Sequence, residues 1–527
     1  MPSSKTFRAR QQAPKQSKTT TVNIEKLVYG GDGLARMDSQ NPEDPRKAIV
    51  WVADSIPGET VTIEAAATSR SKKAPLKGII QSIEAPSVHR VQPTCQHALA
   101  QAPERCGGCQ WQHMDTQAQL EWKGTIVAES FERLAKLPNV TIKPTLGNSP
   151  WHYRHTITWE VVTLPNGNLR LGFHQRESNT TIAISECPIA APPLEALLKT
   201  INNQPELANE LLQGIQRVKA RATDETTILL GLEPRTDEEP IDTSYEPNTV
   251  AEAPQAEVWD STQALEVFQT LRETHPNLKA LWQLIPTEDA PEGSEPQLLW
   301  GESVVTTRLQ NIEYSISLPH FTQAQPQGTE QLLTTLHQAI ASVMPTEAKT
   351  TAGKTIVWDG YCGMGLFGLS IMASPLGAQF SKVIGVEGDL TSVELASLNS
   401  AQLGISHRSQ WHAQAVEDYI ADWYLEASLA ENLAPNRITI GIIDPPRTGA
   451  KPVVLDWLAE HTDKAIIYIS CNPSTLARDC RHLTDNGWQL AWVQPVDCFP
   501  QTYHIECVAL LTPAPKTEDP SAPHLLR

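Results

Sequence analysis

The last third of the chain alternates short apolar runs with patterns typical of helices, from about Gln331 to Leu511. Three of the apolar runs have the pattern of buried strands that end in turn residues, at 355–359, 438–443 and 464–469. Strands that alternate with helices predict an α/β domain with a parallel sheet. Because the carboxyl ends of parallel strands meet at one edge of a sheet, we expect the loops after these runs to form one site.

Other parts of the chain are patterned differently. Residues 21–84 hold several short apolar segments separated by glycine and proline turns, which predicts a small β-barrel of an oligonucleotide-binding type. Apolar positions recur at helical spacing from about Thr116 to Leu137, and strand patterns return over 151–190. We therefore expect four parts: a flexible basic tail over 1–20, the barrel over 21–84, a central α+β domain over 85–320 and the α/β domain over 321–527.

One segment of the central domain stands out by composition. Residues 234–296 are rich in proline and acid, and residues 236–260 contain no basic side chain. Long segments of this composition are uncommon inside compact domains. We interpret this segment as at least partly a surface insertion.

The charge of the chain is unevenly spread. The formal net charge of -18 over 527 residues, taken alone, argues against a nucleic-acid partner. However, residues 1–20 carry five bases and no acid, and residues 70–77 carry four more bases. Such runs are compatible with a solvated face as well as with RNA.

The apolar stretches and the cysteines bear on the compartment. No stretch is apolar and long enough to span a bilayer, and the basic N-terminus lacks the apolar core of a secretory signal. These features favour a cytoplasmic protein with no membrane partner. In a reducing compartment the nine cysteines would stay reduced, so clustered ones indicate metal binding or catalysis before disulfides.

Four cysteines have the spacing of a metal site. Cys106 and Cys109 form a CxxC pair around two glycines, Cys95 precedes them, and Cys187 follows before a proline. Four thiolates can hold a tetrahedral zinc or a [4Fe–4S] cluster, and the glycines let both sulfurs of the pair face one centre. The spacing leaves zinc and iron–sulfur open, with buried free thiols as the alternative.

A glycine loop follows the first of the three strands. Gly363 and Gly365 lie between that strand and an apolar helix, and Glu387 ends a second strand about 20 residues on, where dinucleotide folds place a ribose-binding acid. The loop lacks the third glycine of a dinucleotide motif and the lysine of a P-loop. Both features favour another adenosyl ligand, S-adenosylmethionine, over NAD or ATP, with a ligand-free turn as the alternative.

The other two strand ends carry the reactive side chains. Asp444 and Arg447 belong to a proline-braced Asp-Pro-Pro-Arg loop, and Cys471 directly follows the third strand. A thiolate is needed to methylate carbon 5 of a pyrimidine, because that carbon becomes nucleophilic only after addition at carbon 6. Glu506, flanked by apolar residues, is the candidate base that removes the carbon-5 proton, and burial would raise its pKa.

These motifs together resemble the RNA uracil-C5 methyltransferases, most closely the branch with a TRAM domain and an Fe–S cluster that methylates 23S ribosomal RNA. The resemblance covers nearly the whole chain. It rests on the Gly31–Arg36 and Ile56–Val61 segments, on the four cysteines, on the Ser-Cys-Asn-Pro motif at 470–473 and on the C-terminal block over 497–506.

The resemblance implies a class I, Rossmann-like S-adenosylmethionine-dependent fold, a TRAM barrel and a central Fe–S domain. It also implies a structured RNA substrate, 23S ribosomal RNA, and a monomer. It assigns Cys471 as nucleophile and Glu506 as base, and it assigns a [4Fe–4S] cluster to Cys95, Cys106, Cys109 and Cys187. It assigns cofactor contacts to Gln323, Tyr361, Gly363, Gly365, Glu387 and Asp444.

Two alternatives remain open: methylation of transfer RNA, and an RNA-binding factor with a degenerate site. Leu366, which stands where relatives often carry a cofactor-contacting asparagine, leaves the second of these open.

Overall fold

The computed structural model describes residues 19–38, 47–67, 75–99, 104–224, 226–235, 259–285, 295–344, 355–429 and 438–515. Residues 1–18 of the tail predicted over 1–20 and most of the basic run at 70–77 lie outside these residues, and the last two residues of the predicted tail belong to a strand. The chain divides into two compact units, one of residues 1–92 and 113–115, the other of residues 93–112 and 116–527. No helix among the described residues is long and apolar enough to cross a membrane.

The first unit contains a closed barrel of five strands in the order β1-β2-β3-β5-β4, which confirms the small barrel predicted from the sequence. The strands are β1 (Thr19–Leu27), β2 (Gly33–Met37), β3 (Ala48–Val52), β4 (Thr60–Ala67) and β5 (Leu76–Ala85). Alternate residues point inward, as Val22 and Ile24 do on β1, because successive side chains of a strand face opposite sides. Below them, the buried Glu59 carboxylate accepts two hydrogen bonds from Arg90, at 2.6 and 2.7 Å.

The second unit begins with the cysteine-bearing segment and a helix, α1 (Thr116–Ser130). One π-helical turn over Phe131–Ala135 extends it, and Lys136 ends it in the left-handed conformation, close to the predicted end at Leu137. A seven-stranded sheet follows in the order β12-β11-β10-β9-β6-β7-β8. Its strands are β6 (Thr156–Thr163), β7 (Leu169–His174), β8 (Thr181–Ala183), β9 (Ile215–Ala222), β10 (Ile228–Pro234), β11 (Leu278–Gln283) and β12 (Gln297–Gly301).

Helices α2 (Pro192–Asn203), α3 (Pro205–Leu212) and α4 (Ser261–Thr274) pack into one apolar core with this sheet. Within the segment 234–296, predicted to be at least partly a surface insertion, the described residues 259–285 belong to this core and sheet. There α4 buries Phe268 and Leu271, and β11 pairs in parallel with β10. The proline and acid content of the whole segment concealed the helical spacing of Ala264, Val267 and Leu271.

The C-terminal part contains the predicted α/β fold. A hairpin of β13 (Val305–Leu309) and β14 (Ile312–Ile316) and the helix α5 (Pro326–Val343) precede a sheet in the order β17-β16-β15-β18-β19-β21-β20. The strands are β15 (Ile356–Gly360), β16 (Lys382–Glu387), β17 (Ser409–Ala413), β18 (Ile438–Ile443), β19 (Thr462–Ser470), β20 (Trp488–Val496) and β21 (Glu506–Pro513). The connecting helices are α6 (Leu366–Ala373), α7 (Leu390–Gln402), α8 (Val416–Leu429), α9 (Pro452–His461) and α10 (Pro473–Asp485).

The direction of these strands determines where the site lies. Strands β15 to β19 run parallel, and only β21 and its neighbour β20 pair antiparallel. The apolar runs read from the sequence as strands correspond to β15, β16, β18 and β19. Their carboxyl ends form one edge, and β21 begins at that same edge because it runs the opposite way.

Candidate active site

The ends of three neighbouring strands line up at this edge. Gly360 of β15 pairs with Val386 of β16 on one side and with Ile443 of β18 on the other. The next residue on each strand is Tyr361, Glu387 or Asp444. These three residues therefore lie at the same level of the sheet.

The glycine loop is held in a conformation that its glycines permit. Gly363 and Gly365 have φ angles of 52° and 80°, and Gly365 is the N-cap of α6. The Gly363 N–H donates to the Glu387 carboxylate at 3.0 Å, which ties the loop to the end of β16. A Cβ on Gly365 would lie 2.7 Å from the Trp411 ring, so no side chain fits there without movement.

A pocket beside this loop collects most of the predicted cofactor residues. Gln323, Tyr361, Gly363 and Asp444 all line it, and Leu366 lies at its wall. Gly365 and Glu387 do not line the pocket. Both affect the glycine loop beside it: Gly365 is part of the loop, and Glu387 accepts a hydrogen bond from the Gly363 N–H. The pocket's other walls come from the ends of β6 and β9 and from β13 and β14.

The predicted nucleophile and base face each other across two strands. Ser470 of β19 pairs with Cys507 of β21 at the end of the ladder, and Cys471 and Glu506 are the residues that directly adjoin this last pair. Directly opposed residues of antiparallel strands carry their side chains on the same face, about 5 Å apart at Cβ. The sequence identified both residues, and the antiparallel β21 is what brings them together.

Their surroundings shift the pKa values of both groups. Burial, with the nearby Glu506 and Asp444 carboxyls, raises the pKa of the half-buried Cys471 thiol to about 11, while a hydrogen bond and the charge of Arg447 act the other way. Burial and Asp444 raise the pKa of Glu506 well above its usual value. The Glu506 side chain is 3% exposed, and its Oε2 atom has no hydrogen-bond partner among the described residues.

A further buried acid was not predicted from the sequence. Asp359 on β15 is fully buried, and its Oδ2 accepts from the Gly368 N–H at 2.8 Å while Oδ1 has no partner among the described residues. Burial raises the pKa of Asp359 and of Asp444 to about 7, and each also has a neighbouring acid that acts in the same direction. An aspartate at the end of an otherwise apolar run was the available signal.

The four cysteines of the predicted cluster line one cavity of about 320 Å³. Burial raises the pKa of Cys95 to about 11 and of Cys187 to about 12, with the other thiols adding to the effect. Burial also raises the pKa of Cys106 and Cys109. The Gly108 N–H donates to the Cys106 sulfur at 3.4 Å. Within the described ranges, no three or more His, Cys, Asp or Glu side chains are grouped so as to hold a single metal ion.

Two basic residues in the interior were also missed. Lys123 of α1 is fully buried and pairs with Asp497, and Arg221 of β9 donates to the carbonyl oxygens of Ser317 and His320, just before Gln323. The signal for Lys123 was its place among the apolar positions of a predicted helix.

Comparisons with known sequences agree on one family. The family model of the tRNA (uracil-5-)-methyltransferases matches residues 345–514. An uncharacterized RNA methyltransferase of Gloeobacter violaceus is 30% identical over 94% of this chain and 97% of its own length. A second one, from Halalkalibacterium halodurans, is 30% identical over 95% of this chain and 99% of its own length.

The fold has a counterpart among solved structures. The tRNA (uracil-54, C5)-methyltransferase of Pyrococcus abyssi, solved in complex with S-adenosyl-L-homocysteine, superposes with a TM-score of 0.60. The alignment covers 93% of this chain and 99% of that chain at 19% identity. At that identity the likeness shows the fold alone.

Proposed function

The chain belongs to the RNA uracil-5-methyltransferase family and is an S-adenosylmethionine-dependent enzyme, and we propose that it methylates C5 of a uridine through a covalent bond between Cys471 and C6. The observation that carries the proposal is that Cys471 and Glu506 adjoin the last pair of the β19–β21 ladder, Ser470 with Cys507, and that the Glu506 charge acts on the Cys471 thiol. A thiol and a buried carboxyl beside a pocket lined by the glycine loop fit this reaction. Methyl transfer to an amino group would need no such covalent nucleophile.

The chemistry needs one nucleophile and one base. The Cys471 thiolate adds to C6, and the electron pair of the C5–C6 double bond moves toward C5 and the O4 carbonyl. C5 would then take the methyl group as its bond to the sulfonium sulfur of S-adenosylmethionine breaks, leaving S-adenosylhomocysteine. Glu506 removes the proton from C5, the C5–C6 double bond re-forms, and the C6–sulfur bond breaks to return the thiolate.

Arg447 supports the thiolate in this scheme. It hydrogen-bonds the Cys471 sulfur, and its charge lowers the pKa of that thiol and of Glu506. Burial and the two acids oppose ionisation, so a cation beside the sulfur favours the reactive form. The uridine would leave its stack to reach the partly buried Cys471.

The cofactor would be held by the residues around the glycine loop. S-adenosylmethionine supplies an electrophilic methyl group. We assign its contacts to Gln323, Tyr361, Gly363, Gly365, Glu387 and Asp444. Two features support this assignment: the pocket lies directly beside the loop, and Glu387, which accepts from the Gly363 N–H, ends β16, where dinucleotide folds carry a ribose-binding acid.

A covalent trap tests the mechanism. RNA containing 5-fluorouridine has no proton at C5, so the adduct should persist on a denaturing gel and map by mass spectrometry to the peptide of Cys471. Cys471→Ser should form no adduct and no 5-methyluridine. Attachment at another cysteine, or methylation by the serine variant, would rule out the mechanism.

We further propose that Cys95, Cys106, Cys109 and Cys187 hold a [4Fe–4S] cluster. Their thiols line one cavity, and their raised pKa values mean that a cationic centre is needed before they ionise. The choice of a [4Fe–4S] cluster over zinc rests on the resemblance to the family branch that carries such a cluster.

Iron analysis tests this assignment. Protein purified without oxygen should contain about four iron atoms per chain. Cys109→Ser should lose most of this iron, whereas Cys471→Ser should keep it, because Cys471 lies outside the cavity. Stoichiometric zinc, or iron retained by Cys109→Ser, would contradict the cluster.

The RNA is proposed to be 23S ribosomal RNA, with the barrel serving as a TRAM domain that contacts RNA backbone. The choice rests on the resemblance carried by the four cysteines and by the Gly31–Arg36 segment. Small five-stranded barrels are a common oligonucleotide-binding architecture. A cytoplasmic monomer fits this role.

A further inference from the structure

The loop over residues 497–505 joins β20 to β21 and delivers Glu506 to the site edge. Its flanking strands are fixed by the sheet, since Val496 pairs with Glu506 and Ser470 pairs with Cys507. The loop itself lies outside that pairing. It is held instead by side chains from the segment that follows the cysteine pair, more than 370 residues earlier in the chain.

A buried ion pair anchors the start of the loop. The Lys123 ammonium of α1 donates to the Asp497 carboxylate at 2.6 Å and to the Phe499 carbonyl at 3.1 Å. The two side chains of the pair are 0% and 1% exposed. Asp497 also accepts from the Phe499 N–H at 3.0 Å, so one lysine orders the first turn of the loop.

A reciprocal amide pair anchors its middle. The Gln119 oxygen accepts from the Gln501 N–H at 2.9 Å, and the Gln119 amide donates to the Gln501 side-chain oxygen at 3.0 Å. Gln501 has a φ of 68°, an uncommon conformation for a residue other than glycine. The Trp111 backbone N–H donates to the Gln501 carbonyl at 2.9 Å, and the Tyr153 hydroxyl donates to the Pro500 carbonyl at 2.8 Å.

The anchored loop adjoins the reacting groups. The charges of Glu506 and Asp444 act on the buried Cys498 thiol, and that of Arg447 acts on His504. The rings of Phe499 and His504 pack edge to face, with 5.7 Å between their centroids. The loop therefore forms one wall of the space that holds the Glu506 carboxyl, which is 3% exposed.

We propose that Gln119 and Lys123 are positioning residues that hold the 497–505 loop closed over Glu506, so that this base can remove the C5 proton. The inference rests on the proposed reaction and assigns separate roles in it to the sheet and to α1. The sheet ladder fixes the distance between Cys471 and Glu506, while α1 fixes the wall around the carboxyl. Removing the contacts between α1 and the 497–505 loop should slow the proton removal that needs Glu506. The rate of thiolate addition and the affinity for the cofactor should stay unchanged.

The test compares Gln119→Met with Gln117→Met on the same helix. Gln117 is exposed and donates only to Glu121 within α1 as far as the structure records, so its loss should change neither step. Gln119→Met keeps the length of the side chain but removes its two bonds to Gln501 and its bond to the Trp111 carbonyl at 3.2 Å. All rates are normalised to the number of S-adenosylhomocysteine sites found by calorimetry, which separates a loss of folded protein from a change in chemistry.

The substitution is expected to slow the reaction with uridine RNA but not adduct formation with 5-fluorouridine RNA. With uridine RNA, Gln119→Met should turn over about tenfold more slowly and accumulate a methylated covalent complex that the wild type clears. With 5-fluorouridine RNA, its adduct should form within about twofold of the wild-type rate, because no proton transfer is needed there. Gln117→Met should match the wild type with both RNAs.

Other outcomes are equally informative. Equal slowing with both RNAs, or turnover per site equal to wild type, would overturn the inference and leave a structural role for α1. Gln501→Met and the Gln119→Met/Gln501→Met double variant add a check. If the two residues act through their mutual hydrogen bonds, the double variant should be slowed by less than the two single effects combined, and fully additive slowing would contradict this. If the wild type formed no adduct with 5-fluorouridine RNA, the proposed reaction itself would fail, whatever the Gln119 variant did.

Discussion

At Glu506 the surroundings determine the chemistry more than the residue type does. The apolar residues beside it predicted a raised pKa, and in the structure the carboxyl is buried with one oxygen that has no hydrogen-bond partner among the described residues. The sequence could not reveal that Arg447 contacts Cys471, or that Asp359 lies fully buried near Glu387. Both depend on which loops the sheet brings together.

Asp359 yields a prediction for stability against pH. Its pKa is raised to about 7 in the folded protein, so the folded state holds the proton more tightly than the unfolded chain. The stability it contributes is therefore present below about pH 4 and is lost as the pH rises through about 7. Asp359→Asn is neutral throughout and should raise the free energy of unfolding at pH 8 by about 2 kcal/mol.

Urea unfolding of both proteins at pH 5 and pH 8 checks this. The gain in the variant should be smaller at pH 5, where the wild-type carboxyl is largely protonated. A gain of the same size at both pH values would mean that the effect does not come from titration of Asp359.

Among elements, those with a regular apolar pattern were predictable and those with mixed composition were not. The predicted strand at 382–387 coincides with β16, and the run at 438–443 with β18. The helix α4 and strand β11 were hidden within a segment rich in proline and acid. The contact of α1 with the 497–505 loop could not be predicted, because local pattern carries no information on partners several hundred residues away.

The N-terminus of α6 yields a prediction at this scale. Gly365→Ala would place a Cβ against the Trp411 ring at a φ of 80°, so the loop must shift away from the cofactor position. Affinity for S-adenosylhomocysteine should fall about tenfold or more by calorimetry. Gly388→Ala is the matched control, because it follows Glu387 in the same region and its Cβ would meet nothing within 4 Å. Equal affinities for the two variants would contradict this account.

Across the whole molecule, net charge was a poor guide to the partner. The chain carries -18 formal charges, yet it belongs to a family that acts on RNA. Bases concentrated over 1–20 and 70–77, largely outside the described residues, are masked in the sum by acids concentrated over 236–260. The class of the fold could be predicted, whereas the choice among RNAs depends on surfaces that the sequence pattern does not define.

For the molecule as a whole, we predict that the substrate is 23S ribosomal RNA. Mapping 5-methyluridine across total RNA from a strain lacking the gene should show the loss of one or more 23S sites, with transfer RNA unchanged. Expression of the wild type should restore the sites, and Cys471→Ser should not. Loss from transfer RNA alone would assign the enzyme to the other substrate class.

Trp411 gives the molecule a built-in optical probe. Its ring lies against both Gly365 and Gly385, directly beneath the loop that is expected to meet the cofactor. Indole emission depends on local polarity and packing, so filling the pocket should change the fluorescence of this one ring. The difference between wild type and Trp411→Phe would isolate its signal from the other 13 of the 14 tryptophans. Cofactor occupancy could then be followed in real time without a label.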